Sequence, residues 1–219
     1  KARTMRVFNC PSCGAPVTFH ASVSVYAVCA HCQSMILCRD VGIEAFGKMA
    51  TLPPDMSPLR IGAQGVLDGV GFALLGRLRI GWRDGAWNEW FMVTEHARKG
   101  WLAEAQGFFA ACFEVPLEHD GQNLIDRDFA TWKPKAGERV QVGDQTYEVA
   151  DIKQTTCLGS EGELPFLANR GRQAVSIDLE GTARFASLEV YQKTGRLYQG
   201  RYVGWDELKL SNIRPLEGW

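Results

Sequence analysis

Two cysteine pairs near the start of the chain constrain its fold more than any other feature. They read Cys10-Pro11-Ser12-Cys13-Gly14 and Cys29-Ala30-His31-Cys32-Gln33, with fifteen residues between the pairs. A two-residue gap lets both sulfurs of one tight turn reach a single ion at about 2.3 Å, and two such pairs at this distance form a tetrahedral four-cysteine zinc site. Glycine after Cys13 suits a position where φ must be positive. Gln33 stands where a second glycine is expected. Val17 and Phe19, then Val23, Val25 and Ala27, alternate between the pairs as a hairpin would. Residues 5–40 therefore read as a zinc ribbon with Cys10, Cys13, Cys29 and Cys32 as ligands. Cys38 is near enough in sequence to be an alternative ligand, and His31 reads as a solvent-facing residue. A closed site of four cysteines leaves no coordination position for substrate, so the expected Zn²⁺ is structural.

Residues 41–58 read as a linker, because Leu52-Pro53-Pro54-Asp55-Met56-Ser57-Pro58 holds three prolines. Beyond it the chain turns to short alternating runs. Gly71 to Ile80 reads as a strand pair or one bent strand, and Asp84-Gly85 marks a turn before Trp87 to Val93. Arg139-Val140-Gln141-Val142 and Thr146-Tyr147-Glu148-Val149 flank a compact turn. Further runs cover Ala174 to Leu179, Ala183 to Tyr191 and Leu197 to Val203. Turn residues recur every 8–12 positions or so, the spacing of a small sandwich or barrel. Helical periodicity is weak, with single turns expected at Ala103 to Gln106 and Asp206 to Leu210. The fold class is mostly β: the ribbon, then a β-sandwich or barrel-like module with a first half over 59–118 and a second over 134–219. Gly100-Trp101-Leu102-Ala103-Glu104 echoes Gly204-Trp205-Asp206-Glu207, which leaves duplication of the two halves as an open alternative. On this division, Cys13→Ser would unfold the ribbon alone.

Charge weighs against one broad class. The 219 residues carry a net charge of -1, so no global basic field draws in nucleic acid. The first fifty residues hold Lys1, Arg3, Arg6, Arg39 and Lys48 against Asp40 and Glu44, a mild excess that four thiolates on one zinc reduce. No apolar run approaches the roughly 18–20 residues that span a bilayer. The expected location is cytoplasmic, and seven cysteines, four of them in metal spacing, agree with a reducing compartment. No G-x-S-x-G, P-loop or H-E-x-x-H string occurs. His20, His31, His96 and His119 are scattered, and Cys112 and Cys157 sit in apolar or isolated settings, so a non-catalytic protein is expected.

The remaining signals are aromatic and acidic. Trp87, Glu89, Trp90, Trp101 and Glu104 fall in two short strings, and Glu161-Gly162-Glu163-Leu164-Pro165-Phe166 reads as an acidic loop. Glu161, Glu163 and Asp178 form a candidate carboxylate cluster for a cation or polyamine. The W-x-E-W string Trp87 to Trp90, the string Gly100 to Gly107 and the segment Glu161 to Phe166 together resemble the family called domain of unknown function 4178, from about Leu59 onward. An N-terminal Cys-Pro-x-Cys-Gly ribbon is common in such proteins. The resemblance implies an accessory protein, of a kind often associated with polyamine-synthase-like enzymes and membrane-stress proteins, and implies no catalytic residue. The expected function is a non-catalytic zinc-ribbon adaptor that binds a protein partner through β-edges and the aromatic and acidic surface. The alternative is nucleic-acid binding by the ribbon.

Overall fold

The structure, a computed structural model, describes residues 5–39, 42–53, 55–182 and 184–215. Lys1, Arg3 and Asp40 of the N-terminal charge count, Pro54 of the proline run, Ala183 and the last four residues lie outside the described residues.

The chain is β throughout, as its alternating runs imply. The ribbon contains β1 (Arg6–Asn9), β2 (Pro16–Phe19), β3 (Tyr26–Val28), β4 (Ser34–Arg39) and β5 (Gly42–Lys48). A first meander follows: β6 (Gln64–Leu67), β7 (Val70–Trp82), β8 (Gly85–Thr94), β9 (Lys99–Ala105) and β10 (Phe108–Val115). A short hairpin, β11 (Glu118–His119) and β12 (Gln122–Asn123), leads to the second meander. That one comprises β13 (Arg139–Val142), β14 (Gln145–Leu164), β15 (Gln173–Glu180), β16 (Phe185–Tyr191) and β17 (Thr194–Val203). Among the described residues the one helical element is a 3-10 turn at Asp206–Leu208. The turn expected at Ala103 to Gln106 is instead the end of β9, because Ala103 pairs with both Glu89 and Ala110. No helix of the described residues is long and apolar enough to cross a membrane.

Within each meander every strand pairs antiparallel with the next. The two meanders also pair with each other, β10 with β17 and β7 with β14. The ladder therefore runs β7-β8-β9-β10-β17-β16-β15-β14 and returns to β7. This closed ring is the barrel-like alternative, and closure leaves its members no free edge. The halves expected over 59–118 and 134–219 hold one five-strand meander each, joined second strand to second and last to last. The Gly-Trp echo does not follow that pairing: Gly100 to Glu104 lies in β9, whereas Gly204 follows β17. The likeness of the halves is one of topology.

Two sequence expectations are corrected. The stretch 41–58 is not simply a linker. Its residues Gly42–Lys48 form β5 and pair with β4, because Ile43, Ala45 and their neighbours continue the alternation before the prolines begin. The acidic segment Glu161 to Leu164 is not a loop. It ends β14, where Gly162 takes φ +68° opposite Gly76 and lets the strand continue across β7.

The ribbon also packs against the ring. Leu164 and Glu163 of β14 pair with Tyr26 and Ala27 of β3. Tyr26, fully buried, packs in one core cluster with Leu75, Leu78, Phe91 and Leu164, and its hydroxyl lies 3.2 Å from Ser160 Oγ. Glu163 is 4% exposed; it accepts the backbone N–H of His20 at 2.9 Å and that of Ala21 at 3.4 Å, and it lies 2.5 Å from His20 Nδ1. These contacts tie the ribbon hairpin to the strand that closes the ring.

The outer face of the ring is covered as well. Leu59, Ala63 and Leu208 pack over Trp90, Met92 and Leu102 on the first meander, and Ile125, Val140 and Val142 pack with Ile177, Leu188 and Leu197 on the second. Strands apolar on both faces read as near-continuous hydrophobic runs. Closure itself depends on two glycines. A Cβ on Gly76 would sit 1.9 Å from the Glu163 carbonyl oxygen, and one on Gly162 would sit 2.4 Å from that of Leu75. We expect Gly76→Ala to force β7 and β14 apart and to destabilise the fold by about 2 kcal/mol or more, read by urea unfolding. Unchanged stability would mean that the two strands do not meet there.

Candidate functional site

Two constellations can carry function: the cysteine cluster and a cavity inside the ring. The cluster is built from two knuckles of the same design. Gly14 N–H donates to the Cys10 carbonyl at 2.8 Å, and Gln33 N–H donates to the Cys29 carbonyl at 2.9 Å. Gly14 has φ +77° and Gln33 has φ +61°. Gln33 thus takes the left-handed conformation that glycine would adopt more easily, at a modest conformational cost. The Sγ atoms of Cys10, Cys13, Cys29 and Cys32 all lie within 4.8 Å of one another. Cys10 and Cys32 are 3.7 Å apart, and Cys13 and Cys29 are 3.8 Å apart. The edge of a tetrahedron around an ion about 2.3 Å from each thiolate is about 3.8 Å, so this donor set fits a metal ion. Cys38 lies in β4, outside the cluster, with its thiol toward the Arg39 carbonyl. His31 is exposed beside the cluster, as expected.

The cavity has a volume of about 390 Å³, within the range of small-molecule sites of roughly 300–1,000 Å³. All eight ring strands contribute to its wall. Strand alternation decides which side chains face in. Small ones line much of it: Ala103 and Ala110 from the first meander, Ala174, Ser176 and Ser187 from the second. Large rings stand between them, namely Trp87, Trp101, Phe166 and Tyr198. Phe166 comes from the segment after β14; its ring packs 5.7 Å from Trp101 and lies under the guanidinium of Arg196. Phe108 and Tyr202 are also in the wall and are 74% and 73% exposed, so they mark the open mouth.

Charged side chains decide the electrostatics of the wall. Glu180 is exposed at its rim, and five others stand further in. Arg172 holds Glu189 with both terminal guanidinium nitrogens, one of them 3.2 Å from Oε2. Lys153 reaches Asp178 at 3.1 Å and also pairs with Asp151. Glu89 differs from these. It accepts one hydrogen bond, from Trp87 Nε1 at 3.0 Å, and no cation of the described residues lies within ion-pair distance of it. Burial pushes its carboxyl up to about 7, and Glu189 adds to the rise, against the opposing Trp87 hydrogen bond and Arg172 charge. Burial likewise pushes the Cys112 thiol up to about 12 and raises that of Cys157, so neither wall cysteine is a ready nucleophile.

The residues singled out in the sequence therefore separate. Trp87, Glu89, Trp101 and Asp178 share the cavity wall. Trp90 and Glu104 lie on the opposite face, 1% and 8% exposed. There Glu104 accepts from Trp90 Nε1 at 2.9 Å, Asn88 Nδ2 at 3.1 Å and the Ser57 hydroxyl at 2.7 Å, a satisfied structural network. Glu161 faces Arg77 at 3.1 Å, and Arg77 also pairs with Asp55 at 2.7 Å. Glu163 clamps the ribbon. The expected cluster of Glu161, Glu163 and Asp178 does not form, because Asp178 pairs in register with Asp151, ten residues down β14 from Glu161. Sequence reasoning missed Lys153, Arg172, Glu189 and Tyr198. The alternation Ser187-Glu189 was available, but polar alternate positions are also what a solvent face would show.

The chain belongs to the family described as Domain of unknown function (DUF4178), whose model matches residues 60–204. The match begins just before β6 and ends just after β17, so it spans both meanders and leaves the cysteine cluster outside. No curated protein and no solved structure matches the chain.

A carboxyl whose value is raised on folding from 4.5 to about 7 favours the folded state below 4.5, and that contribution is lost as pH rises through 7. Stability relative to Glu89→Gln should therefore fall by roughly 3 kcal/mol at most between pH 4.5 and pH 8, measured by urea unfolding of both proteins. A difference that does not vary with pH would place Glu89 in contact with water.

Proposed function

We propose that the chain is a non-catalytic binding module that holds a small molecule inside the ring, with a structural zinc ion in the cysteine cluster. The observation that carries this reading is the cavity itself. It is a mostly apolar, partly enclosed space with polar and charged groups set into its wall, the usual character of a small-molecule site. The non-catalytic part rests on what lines it. Two of its carboxylates are held by cations, its thiols are pushed toward the neutral form, and none of the four histidines belongs to its wall.

Zinc is favoured for the cluster by four thiolate donors at tetrahedral distances. Its role is to hold the two knuckles and, through β3 and Glu163, to brace the end of β14. Bound zinc contributes on the order of 10 kcal/mol to folding of such a module. Because Tyr26 and Val28 belong to the ring's core cluster, the effect of losing the metal should extend past the ribbon. Cys13→Ser should abolish the single bound zinc seen by elemental analysis and also lower the melting temperature of the ring. A normal ring melt in that variant would restore the view of the ribbon as an independent unit.

The adaptor role remains as a second reading on one observation. β5 ends the sheet with one hydrogen-bonded neighbour, β4, and carries Phe46, 39% exposed. A partner strand could add there. Nucleic-acid binding has less support. Arg6 donates to the Ser24 carbonyl and lies over Phe19, and Arg39 is paired with Glu44. Native mass spectrometry of the chain isolated from its own cells separates these readings. The binding-module reading predicts one zinc and a small non-polymer adduct that Ala110→Leu displaces. A stoichiometric protein partner without that adduct, or nucleic acid stripped by salt, would overturn it.

A further inference from the structure

The cavity's charges are not balanced, and the imbalance points to its occupant. Inside the rim, three carboxylates, Glu89, Glu189 and Asp178, face two cations, Arg172 and Lys153. Each cation already has its own carboxylate. Glu180 at the rim adds a further negative charge in contact with solvent. Glu89 is left with an indole N–H as its single hydrogen-bond donor. A half-buried ionised carboxylate with so little hydrogen bonding is costly unless a positive group approaches it.

The surroundings of Glu89 leave space for such a group. Its neighbour across β9 is Ala103, and Ala103 pairs in turn with Ala110 on β10. Two methyl groups in a row beside the carboxylate leave open volume where larger side chains would fill it. Aromatic faces stand around that volume, and aromatic faces attract cations, most strongly those of tryptophan. An anionic ligand would instead meet an excess of negative charge and two cations already taken. A metal ion would need several oxygen ligands, and Glu89 is the one carboxylate inside the rim without a cation.

We propose that the cavity binds a small organic cation with one ammonium charge and an apolar body. The charge sits beside Glu89 against Trp87, and the body lies along Trp101 and Tyr198. The single free carboxylate inside matches a single charge, and the largely apolar wall matches a hydrocarbon or aromatic body. This proposal rests on the reading of the cavity as a small-molecule site.

Three probes of equal chain length test it: octyltrimethylammonium, 1-octanol and octanoate. Each is titrated into the full chain with its metal at pH 8, above the value of about 7 to which the Glu89 carboxyl is raised, with tryptophan fluorescence and calorimetry as readouts. The ammonium probe should bind about tenfold more tightly than octanol, and octanoate should bind most weakly. Glu89→Gln, a near-isosteric change, should remove the preference for the ammonium probe and leave octanol binding unchanged. Ala110→Leu should weaken both. Octanol or octanoate binding as well as the ammonium probe, or an ammonium preference that survives Glu89→Gln, would overturn the proposal and leave the cavity reading standing. Failure of all three probes to bind would overturn both. Melting curves of the two variants at pH 8 verify that they are folded, and if Glu89→Gln does not fold, Glu89→Met serves in its place.

Discussion

One strand, β14, holds the structure together. Its twenty residues pair with four other strands in succession: β13 and β15 at its start, β7 along its second half, and β3 at its last two residues. Without the β7 pairing the two meanders would be joined along β10 and β17 alone, and both β7 and β14 would present open edges. Pairing this long requires the strand to bend. A register shift between Cys157 and Gly159 and the positive φ of Gly162 supply the bend. Residues on β14 then serve several structures at once: Lys153, Thr155 and Cys157 face the cavity, Glu161 faces Arg77, and Glu163 holds the ribbon.

This arrangement relates the cysteine cluster to the cavity. The knuckles fix the ribbon hairpin, the hairpin places Tyr26 and the His20 and Ala21 amides, and these hold the end of β14. The cysteine cluster stands outside the cavity wall, so a metal ion held there would act on the cavity mechanically, through the ribbon and β14. Inside the rim, the charged groups of the wall are two ion pairs and one carboxylate without a cation partner. Paired charges satisfy each other in a region of low dielectric, whereas the lone carboxylate retains a preference for a neutral state or a cationic neighbour.

Much of this was legible in the sequence where the signal was local. Cysteine spacing located the cluster, because a two-residue gap lets both sulfurs of one tight turn reach a common point. Asp84-Gly85 and Gly143-Asp144 marked real hairpins, with Trp82 opposite Gly85 and Val142 opposite Gln145. What could not be read was which strands meet. The alternation Trp87-Asn88-Glu89-Trp90 assigns Trp87 and Glu89 to one face and Asn88 and Trp90 to the other, but it does not say which face encloses a cavity. Polar alternate positions such as Ser187 and Glu189 read the same whether they face a cavity or solvent. Glu161-Gly162-Glu163 resembled a loop because a glycine and, three residues later, Pro165 usually interrupt a strand, and the crossing of β7 explains why the strand continues to Leu164. The contact between β3 and β14 joins Ala27 to Glu163, a pairing across most of the chain that no local pattern encodes.

The closure of the ring by β7 and β14 is the claim on which the cavity, its lining and the bracing by the ribbon all depend. Native-state hydrogen exchange, read peptide by peptide by mass spectrometry, measures it most directly. If the ring is closed, the amides of 76–81 and 156–162 exchange only with global unfolding, at the same free energy as the central amides of β8 and β9. Exchange of those two segments at a much lower free energy, with β8 to β10 still protected, would show an open sheet and contradict the account.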